Sequence, residues 1–540
     1  MKLTANKMKI SLITLVVIIF LIFDIVMGNT YHFMNFGSML YLAVYVLVIA
    51  GILFLDKNNY KTFFGIFGIT ATTLLVIFVV GGVMSSRIIN AKSYASVIGD
   101  VKQIEFSDLY SSDHLVEMSY VDKESAILAA EKKIGELDEL SARFELDVAE
   151  FSQINYQGKM VRVAPFQYTD TIKKYLNFGD GVPYYTIVQT GEGNLNAKAE
   201  IITLDEPMKY YPDAPLLFDL HRHVAMKHKF SYLDDWYFEI DDQGHPYWIV
   251  QAITKRVGIW GAKDMSGLIV VDAVTGETER YPLEEIPEWV DSVYPTDMLL
   301  RQASDYYSLK GGYWNSVFQQ KGVMSVDSSE GDYNYVSIDD EIYVFTGIRP
   351  IKLDSTSTTG LLFMNKRTGE AMELNLAGVS LTTAQNTVVG TIQEKSYTPT
   401  TPSLQNIGGY PTYVMSLKDN SGVVRGLGYV NYQDYTKSAV GDNQTLAEKA
   451  YLNVMGSQST LVPDDVETVK GTITDIRQVM MDGNTSYLFV LDHGDVIYNA
   501  SLVLDERLAF IKEGSVIEFE AAANKVSKII SIGVNKAADS

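Results

Sequence analysis

None of the 540 positions of this chain is cysteine. That excludes disulfides, thiol catalysis and thiolate metal sites together, and leaves a large protein held by packing alone. Such a composition suits a bacterial surface, above all one behind a single membrane, better than a eukaryotic secreted protein. Charge is the second scarcity, and it is local. Through Gly82 the only acids are Asp24 and Asp56, so almost all of the net charge of −22 belongs to the remainder. An acidic surface repels phosphate backbones, which argues against nucleic acid as a partner. Its plain reading is solubility, although a cationic partner or a cation-rich wall matrix would also suit it. Catalytic signatures are missing too. There is no Gly-x-Ser-x-Gly elbow, Walker loop or His-Glu-x-x-His pair, and Gly191-Glu-Gly193 and Gly426-Leu-Gly428 are too short to cradle phosphate.

Long apolar runs are what the N-terminus does have. Ile10–Met27, Met39–Leu55 and Phe63–Val83 are each long enough, at about 1.5 Å of rise per residue, to cross a hydrocarbon core of about 30 Å as a helix. Lipid offers no hydrogen-bond partners, so helices are the expected form. Lys2, Lys7 and Lys9 precede the first run, Lys57 and Lys61 separate the second from the third, and Gly28–Ser38 holds no Lys or Arg. The positive-inside rule then puts the N-terminus in the cytoplasm and everything after about residue 84 outside, with Arg87 and Lys92 outvoted. Met27-Gly28-Asn29 is a poor cleavage site, so an uncleaved three-span anchor over 1–84 is expected. Asp24 reads as interfacial. Gly65, Gly68, Gly81 and Gly82 would let the third helix pack closely on a neighbour.

Beyond the membrane, 85–121 is mixed and polar and reads as a tether. Asp122–Ser141 reads as an amphipathic helix, with Ile127, Ala130, Ile134 and Leu137 on one face. Strand-like stretches rich in Val, Ile, Tyr and Trp follow at Met160–Val163, Tyr184–Gln189, Glu200–Leu204, Trp236–Ile240, Tyr247–Thr254 and Gly267–Asp272. The expected fold class is α+β and multidomain, with units at 122–210, 211–295, 296–460 and 466–535.

An internal repeat organises the middle of the chain. Gly267–Glu277 aligns without gaps on Gly360–Glu370, Trp236–Asp242 on Asn334–Asp340, and Tyr247–Val250 on Tyr343–Thr346. A helix is expected before each set, at Pro215–Lys229 and Met298–Gln320. Each copy ends in an Asp/Asn-x-x-Thr-Gly turn, carried by Asp272, Thr275 and Gly276 in one and by Asn365, Thr368 and Gly369 in the other. The Asx side chain bonds backbone two residues on, and the glycine supplies the left-handed conformation. Half-copies occur at Tyr184–Asp205 and Pro411–Tyr432. The Asp272–Glu277 segment after Tyr247-Trp-Ile-Val resembles the C-terminal half of a PepSY module. The resemblance covers about 215–282 and, more loosely, 298–376, and it implies a helix packed on a small antiparallel sheet. PepSY modules occur on membrane-anchored and secreted bacterial proteins and in propeptides that restrain peptidases; the long insertion Lys255–Ser266 departs from the pattern.

After a Gly456–Asp465 linker, the order is three strands, a short helix at Asp505–Ile511 and two further strands. That is the order of an OB-like barrel. Such folds bind nucleic acid through basic grooves, whereas Lys and Arg are sparse here, so a structural or protein-binding barrel is expected.

The side chains that could carry chemistry are few. His221 and His228 share a helix face and are the only metal candidates, although His223 projects away from them. Asp234-Asp235, Asp241-Asp242 and Asp339-Asp340 sit at strand ends, where turns place Asp, and neighbours on a strand point to opposite faces. Asp327–Asp332 lacks the bidentate Glu of an EF-hand. No catalytic residue, metal or cofactor is expected. The expected function is a non-enzymatic, membrane-anchored binding or scaffold protein of the bacterial envelope that docks another envelope or membrane protein. The alternatives are an envelope hydrolase or glycan-modifying enzyme using acids near Asp234–Asp242, and a subunit of a transport or secretion complex. The oligomeric state is left open.

Overall fold

The structure is a computed structural model that describes residues 2–54, 60–111, 116–119, 121–137, 141–177, 179–190, 197–326, 333–351, 357–392, 396–456, 466–481, 484–494, 496–502, 505–522 and 525–533. Lys57, Gly191-Glu-Gly193, the acidic segment 327–332 and the linker 457–465 lie outside the described residues. The chain is 34% helix and 38% strand, so neither dominates and the class is mixed.

Helices α1 (Lys2–Met27), α2 (Phe36–Phe54) and α3 (Tyr60–Met84) each hold a stretch long and apolar enough to cross a membrane. Lys9 Nζ donates to the Leu53 carbonyl at 3.1 Å, so the start of α1 lies beside the end of α2. The opposite end of the bundle meets the folded remainder of the chain. There Asp24 is 5% exposed, and Lys229 Nζ stands 2.6 Å from its carboxylate. The Tyr31 hydroxyl donates to the other carboxylate oxygen. A helix leaves its last carbonyls without partners. Here Arg222 Nε donates to Val26 O at 2.8 Å, and just past the helix Lys229 Nζ donates to Asn29 O at 2.8 Å. The exit of α3 is held likewise: Ile259 and Trp260 N–H both donate to Ser85 Oγ, and the Trp260 ring lies on Gly81, where a Cβ would come within 2.5 Å of it.

The stretch 85–121, expected as a tether, is part of the fold. Helix α4 (Arg87–Ala95) buries Ala91, Tyr94 and Ala95 against Val257 and Leu309. Strand β1 (Val101–Ile104), the short helix α5 (Phe106–Leu109) and β2 (Val116–Met118) follow. Both strands join a sheet made mostly of much later residues. Few apolar positions and two very short strands hide this in the sequence.

Four sheets then share one plan, a helix followed by a four-strand antiparallel meander. The first has α6 (Lys123–Gly135), β3 (Phe144–Leu146), β4 (Ser152–Tyr156), β5 (Lys159–Tyr168), the short α7 (Thr171–Leu176), β6 (Val182–Gln189) and β7 (Lys198–Met208), with β4 to β7 as its meander and β3 extending β5. Asp122 caps α6 by accepting from Ser125 N at 2.9 Å. The second has α8 (Leu220–Lys227), β8 (Leu233–Ile240), β9 (Pro246–Val257), β10 (Gly261–Asp272) and β11 (Thr278–Tyr281). The expected insertion Lys255–Ser266 is the far end of the β9–β10 hairpin, whose tip carries Trp260.

The third has α9 (Thr296–Leu309), β12 (Met324–Val326), β13 (Tyr333–Ile338), β14 (Glu341–Pro350), β15 (Ser357–Thr358), β16 (Gly360–Asn365), β17 (Ala371–Leu374) and β18 (Gly378–Val379). β1 adds to β17 in parallel and β2 adds to β13, giving the order β1-β17-β16-β14-β13-β2, with β12 on β14. The fourth has α10 (Leu381–Thr391), β19 (Thr398–Pro399), β20 (Ser403–Ile407), β21 (Tyr410–Lys418), β22 (Val424–Asn431), β23 (Ser438–Gly441) and α11 (Gln444–Met455). The segment 296–460, expected as one unit, therefore holds two helix-plus-meander sheets.

Equivalent hydrogen bonds mark the shared plan. The residue just past the third strand donates its N–H to the carbonyl of the first or second residue of the second: Thr190 to Met160, Ala273 to Pro246, Lys366 to Ile342 and Tyr432 to Pro411. In the middle two units a tyrosine from the segment that leads into the helix covers the turn glycine. Gly276 (φ +74°) lies under Tyr210, and Gly369 (φ +75°) lies under Tyr294. Tyr210 N donates to Ala273 O, as Tyr294 N does to Lys366 O. The middle sheets are buried on both faces. Trp248, Ile269 and Val271 face α8, while Ile249, Leu268 and Val270 pack on Val290, Val293 and Met298. Strand interiors this apolar follow from two-sided burial rather than from alternation.

The C-terminal unit is a closed five-strand barrel of β24 (Val466–Met481), β25 (Asn484–Leu491), β26 (Ile497–Ser501), β27 (Val516–Ala522) and β28 (Lys525–Gly533), in the order β24-β25-β26-β28-β27. Phe489, Ile517 and Phe519 fill it. Closure removes the sheet edges that would otherwise invite pairing with other chains.

Removing one partner of a buried ion pair strands the other charge, at a cost of about 3–5 kcal/mol. Lys229 keeps a side-chain exposure of 26%, which favours the lower end. Lys229→Met is therefore expected to destabilise the detergent-solubilised chain by about 3 kcal/mol. Adding Asp24→Asn should recover most of that loss. Thermal melts in which the single variant matches wild type would refute the role given to this pair.

Candidate functional site

The acids singled out in the sequence part company in the fold. Asp234 pairs with Lys263 Nζ at 2.8 and 2.9 Å. Asp241 turns the β8–β9 connection, accepting from Gln243 N at 3.0 Å and His245 N at 2.9 Å. Asp339 and Asp340 hold left-handed φ angles of 52° and 65° in the equivalent turn. Only Asp235 enters a cleft, of about 310 Å³, formed where α6 begins and where the β4 entry meets β8. Glu150, Ser152, Lys123 and Tyr237 also line it.

Glu150 is the side chain that the sequence did not flag. Burial, then repulsion from Asp147, push its carboxyl up to about 7; Asp235 adds to that push and Lys123 opposes it. Burial, then Asp234 and Asp297, raise Asp235 too. Of the two raised carboxyls lining this cleft, Glu150 can take up or release a proton near neutral pH, and the cleft can receive a cationic group. The signal that could have found Glu150 is faint, because it sits in a turn with Asp147 and its neighbour Asp235 comes from another sheet.

A second polar cluster ties three units together. Glu239, fully buried on β8, accepts from Asp291 N at 3.0 Å and Ser292 N at 2.8 Å. The Asp291 carboxylate accepts from Asn155 N at 2.6 Å. Lys366 Nζ donates to Ser292 Oγ at 3.2 Å and lies over the rings of Tyr237 and Tyr335. Arg367 donates to the carbonyls of Ile286, Pro287, Glu288 and Val290. Burial raises the Glu239 carboxyl, and burial followed by Glu239 raises Asp291 well above the usual range. These charges hold the loop's backbone from three units at once, so the cluster positions the units.

The histidines do not converge. His221 lies against the Trp236 ring at 4.3 Å, whereas His228 Nε2 meets Thr278 Oγ1 at 3.0 Å. Burial lowers the His228 imidazole, and Arg280 and Lys227 add to that. Among the described residues no group of three or more His, Asp or Glu could hold a metal ion. The two turns match bond for bond. Asp272 Oδ1 accepts from Val274 and Thr275 N–H at 2.8 and 2.9 Å, and Asn365 Oδ1 from Arg367 and Thr368 N–H at 2.7 and 2.9 Å.

The glycines of α3 divide by use. Gly81 is filled by Trp260, but a Cβ on Gly65 or Gly68 would meet nothing within 4 Å. These two, with Thr72, Thr73, Phe64 and Ile77, line a groove of about 590 Å³ made by α3 residues alone.

No protein-family model matches the chain, and no curated protein matches it. Among solved structures, a variant of the Synechocystis apocarotenoid oxygenase is 11% identical with a TM-score of 0.14, over 54% of this chain and 60% of that one. A Trypanosoma rangeli sialidase is 9% identical with a TM-score of 0.14, over 66% and 53%. An exo-β-1,3-galactanase from Phanerochaete chrysosporium is 7% identical with a TM-score of 0.14, over 64% and 60%. The chain thus spans between half and two thirds of the length of each. Scores this low mark no common fold.

A carboxyl raised in the fold favours the folded state most below its ordinary pKa and loses that contribution as pH rises through the raised value. For Glu150 the window runs from 4.5 to about 7. Melting temperature should therefore fall across that window in wild type, and less steeply in Glu150→Gln. Parallel curves would show that Glu150 holds no such proton.

Proposed function

We propose that this chain is a membrane-anchored scaffold of the bacterial cell envelope that holds another membrane protein against its third span. The observation carrying this is the α3 groove at Gly65, Gly68 and Thr72, which neither α1 nor α2 covers. In lipid, helices associate where small residues allow close backbone approach, and threonine hydroxyls add hydrogen bonds. In this reading the N-terminus is cytoplasmic and residues after about 84 are extracellular, as the alternation of Lys2, Lys7 and Lys9 with the uncharged Gly28–Ser38 connection argues. The second and third helix-plus-meander units are PepSY-like modules, a reading supported by the twin Asx turns of Asp272 and Asn365. The barrel is OB-like, supported by its strand order, in which the last strand lies between the third and the fourth. The acidic surface favours protein over nucleic acid as the partner of both.

The test compares wild type with Gly65→Leu/Gly68→Leu, solubilised from native membranes in mild detergent. Wild type should migrate as a complex larger than one chain, and the variant as the chain alone. A wild type that already runs as a single chain would sink the proposal.

The Glu150–Asp235 cleft favours a second reading, a hydrolase of envelope polymers that uses these two acids. Turnover of peptidoglycan or peptide substrates by the full chain, abolished by Asp235→Asn, would establish it. Equal blank rates in both proteins would dismiss it.

A further inference from the structure

The carboxyl-terminal ends of α1 and α3 and the tip of the β9–β10 hairpin define one level of the molecule. Met27 ends the first span, Met84 ends the third, and Trp260 is wedged between Phe36, Phe78 and Gly81. A tryptophan at this level is the usual marker of the membrane interface. Large apolar side chains of the folded head stand at the same level on two flanks, and they are not buried by the protein.

On the α1 flank the Arg222 guanidinium donates both to Val26 O and to Leu216 O, each at 2.8 Å. Leu216 is thus one guanidinium away from the end of the span. Leu216 is 63% exposed and Leu217 52%. Phe230 is 78% exposed and directly follows Lys229, the residue paired with Asp24. On the α3 flank, α4 starts just past Met84, and Asn90 Nδ2 donates to Met84 O at 2.7 Å. Ile89 on that helix is 64% exposed. Tyr313 packs into the α4 cluster, and next to it the rings of Trp314 and Phe318 stack at 5.7 Å while 60% and 72% exposed.

Around the membrane exits these six side chains stand uncovered in two clusters, an arrangement that marks an interaction surface rather than scattered exposure. We infer that the head lies down on the bilayer, with Leu216, Leu217 and Phe230 on one flank and Ile89, Trp314 and Phe318 on the other inserted into the leaflet at which α1 and α3 end. The occupant is lipid because these side chains continue the apolar surface of the spans across the polar junction. Apolar and aromatic residues on one face, placed at headgroup depth, are what interfacial segments use. The inference rests on the three spans alone and not on a partner at α3.

The absence of cysteine makes the test clean. Leu217→Cys, Phe318→Cys and, as a reference on α11, Leu446→Cys are each spin-labelled in the full chain in liposomes that contain no other protein. Leu446 is 48% exposed, so all three changes are at the surface. Labels at 217 and 318 should relax several-fold more with dissolved oxygen than with a polar nickel chelate, relative to the label at 446. Water-like ratios at either flank would overturn the two-sided seat. A failed α3 groove experiment would leave these ratios unchanged, so the two readings can fail separately.

Discussion

One carboxylate at the end of an apolar helix decides how the rest of the molecule is arranged. Asp24 lies where lipid gives way to protein, and a charge there must be matched. Lys229 and Tyr31 match it, and the same lysine binds the Asn29 carbonyl. These contacts bring the second meander unit down onto the span. Trp260 can then fill the notch at Gly81, and Ser85 can tie off the β9–β10 hairpin. The head is thus clamped to its anchor at two helix ends instead of swinging on a leash.

Above that clamp the units hold together through buried charge as much as through apolar area. The loop 286–293 is gripped by Asn155 of the first unit, Glu239 of the second and Lys366 and Arg367 of the third. Apolar packing between sheets tolerates sliding, but backbone N–H groups aimed at a fixed carboxylate do not. Glu239 and Arg367 therefore set the register in which the sheets stack. With no cysteine anywhere, this polar hub does work that disulfides often do in surface proteins.

Which features were legible in the sequence follows from how local their causes are. The spans depend on runs of apolar residues and need no partner to be recognised. The Asp272 and Asn365 turns depend on three or four consecutive residues, so the twin motif could be read directly. The pairing of Asp24 with Lys229 could not, because nothing local distinguishes Lys229 from the lysines around it. The same holds for Glu150 and Asp235, which meet only after two sheets pack. Residues 85–121 look like a tether because β1 and β2 are too short to show a period, and their partners lie in the third unit. The fourth unit lacks the Thr-Gly signature at its turn, where Asn431 accepts from Gln433 and Asp434 N–H instead, so its kinship shows only in the strand order.

The borrowed strands have a further effect. A row of tandem units ordinarily frays from its ends, since each terminal unit touches one neighbour only. Here β1 and β2, which come before the first unit, are sewn into the sheet of the third. The opening segment therefore closes the first three units into a loop, and the outermost unit on that side has no loose end from which to peel. Loss of order in the third unit must release β1 and β2, and with them the segment that leads into the first unit, so the two ends of this stretch of chain are coupled despite its modular look.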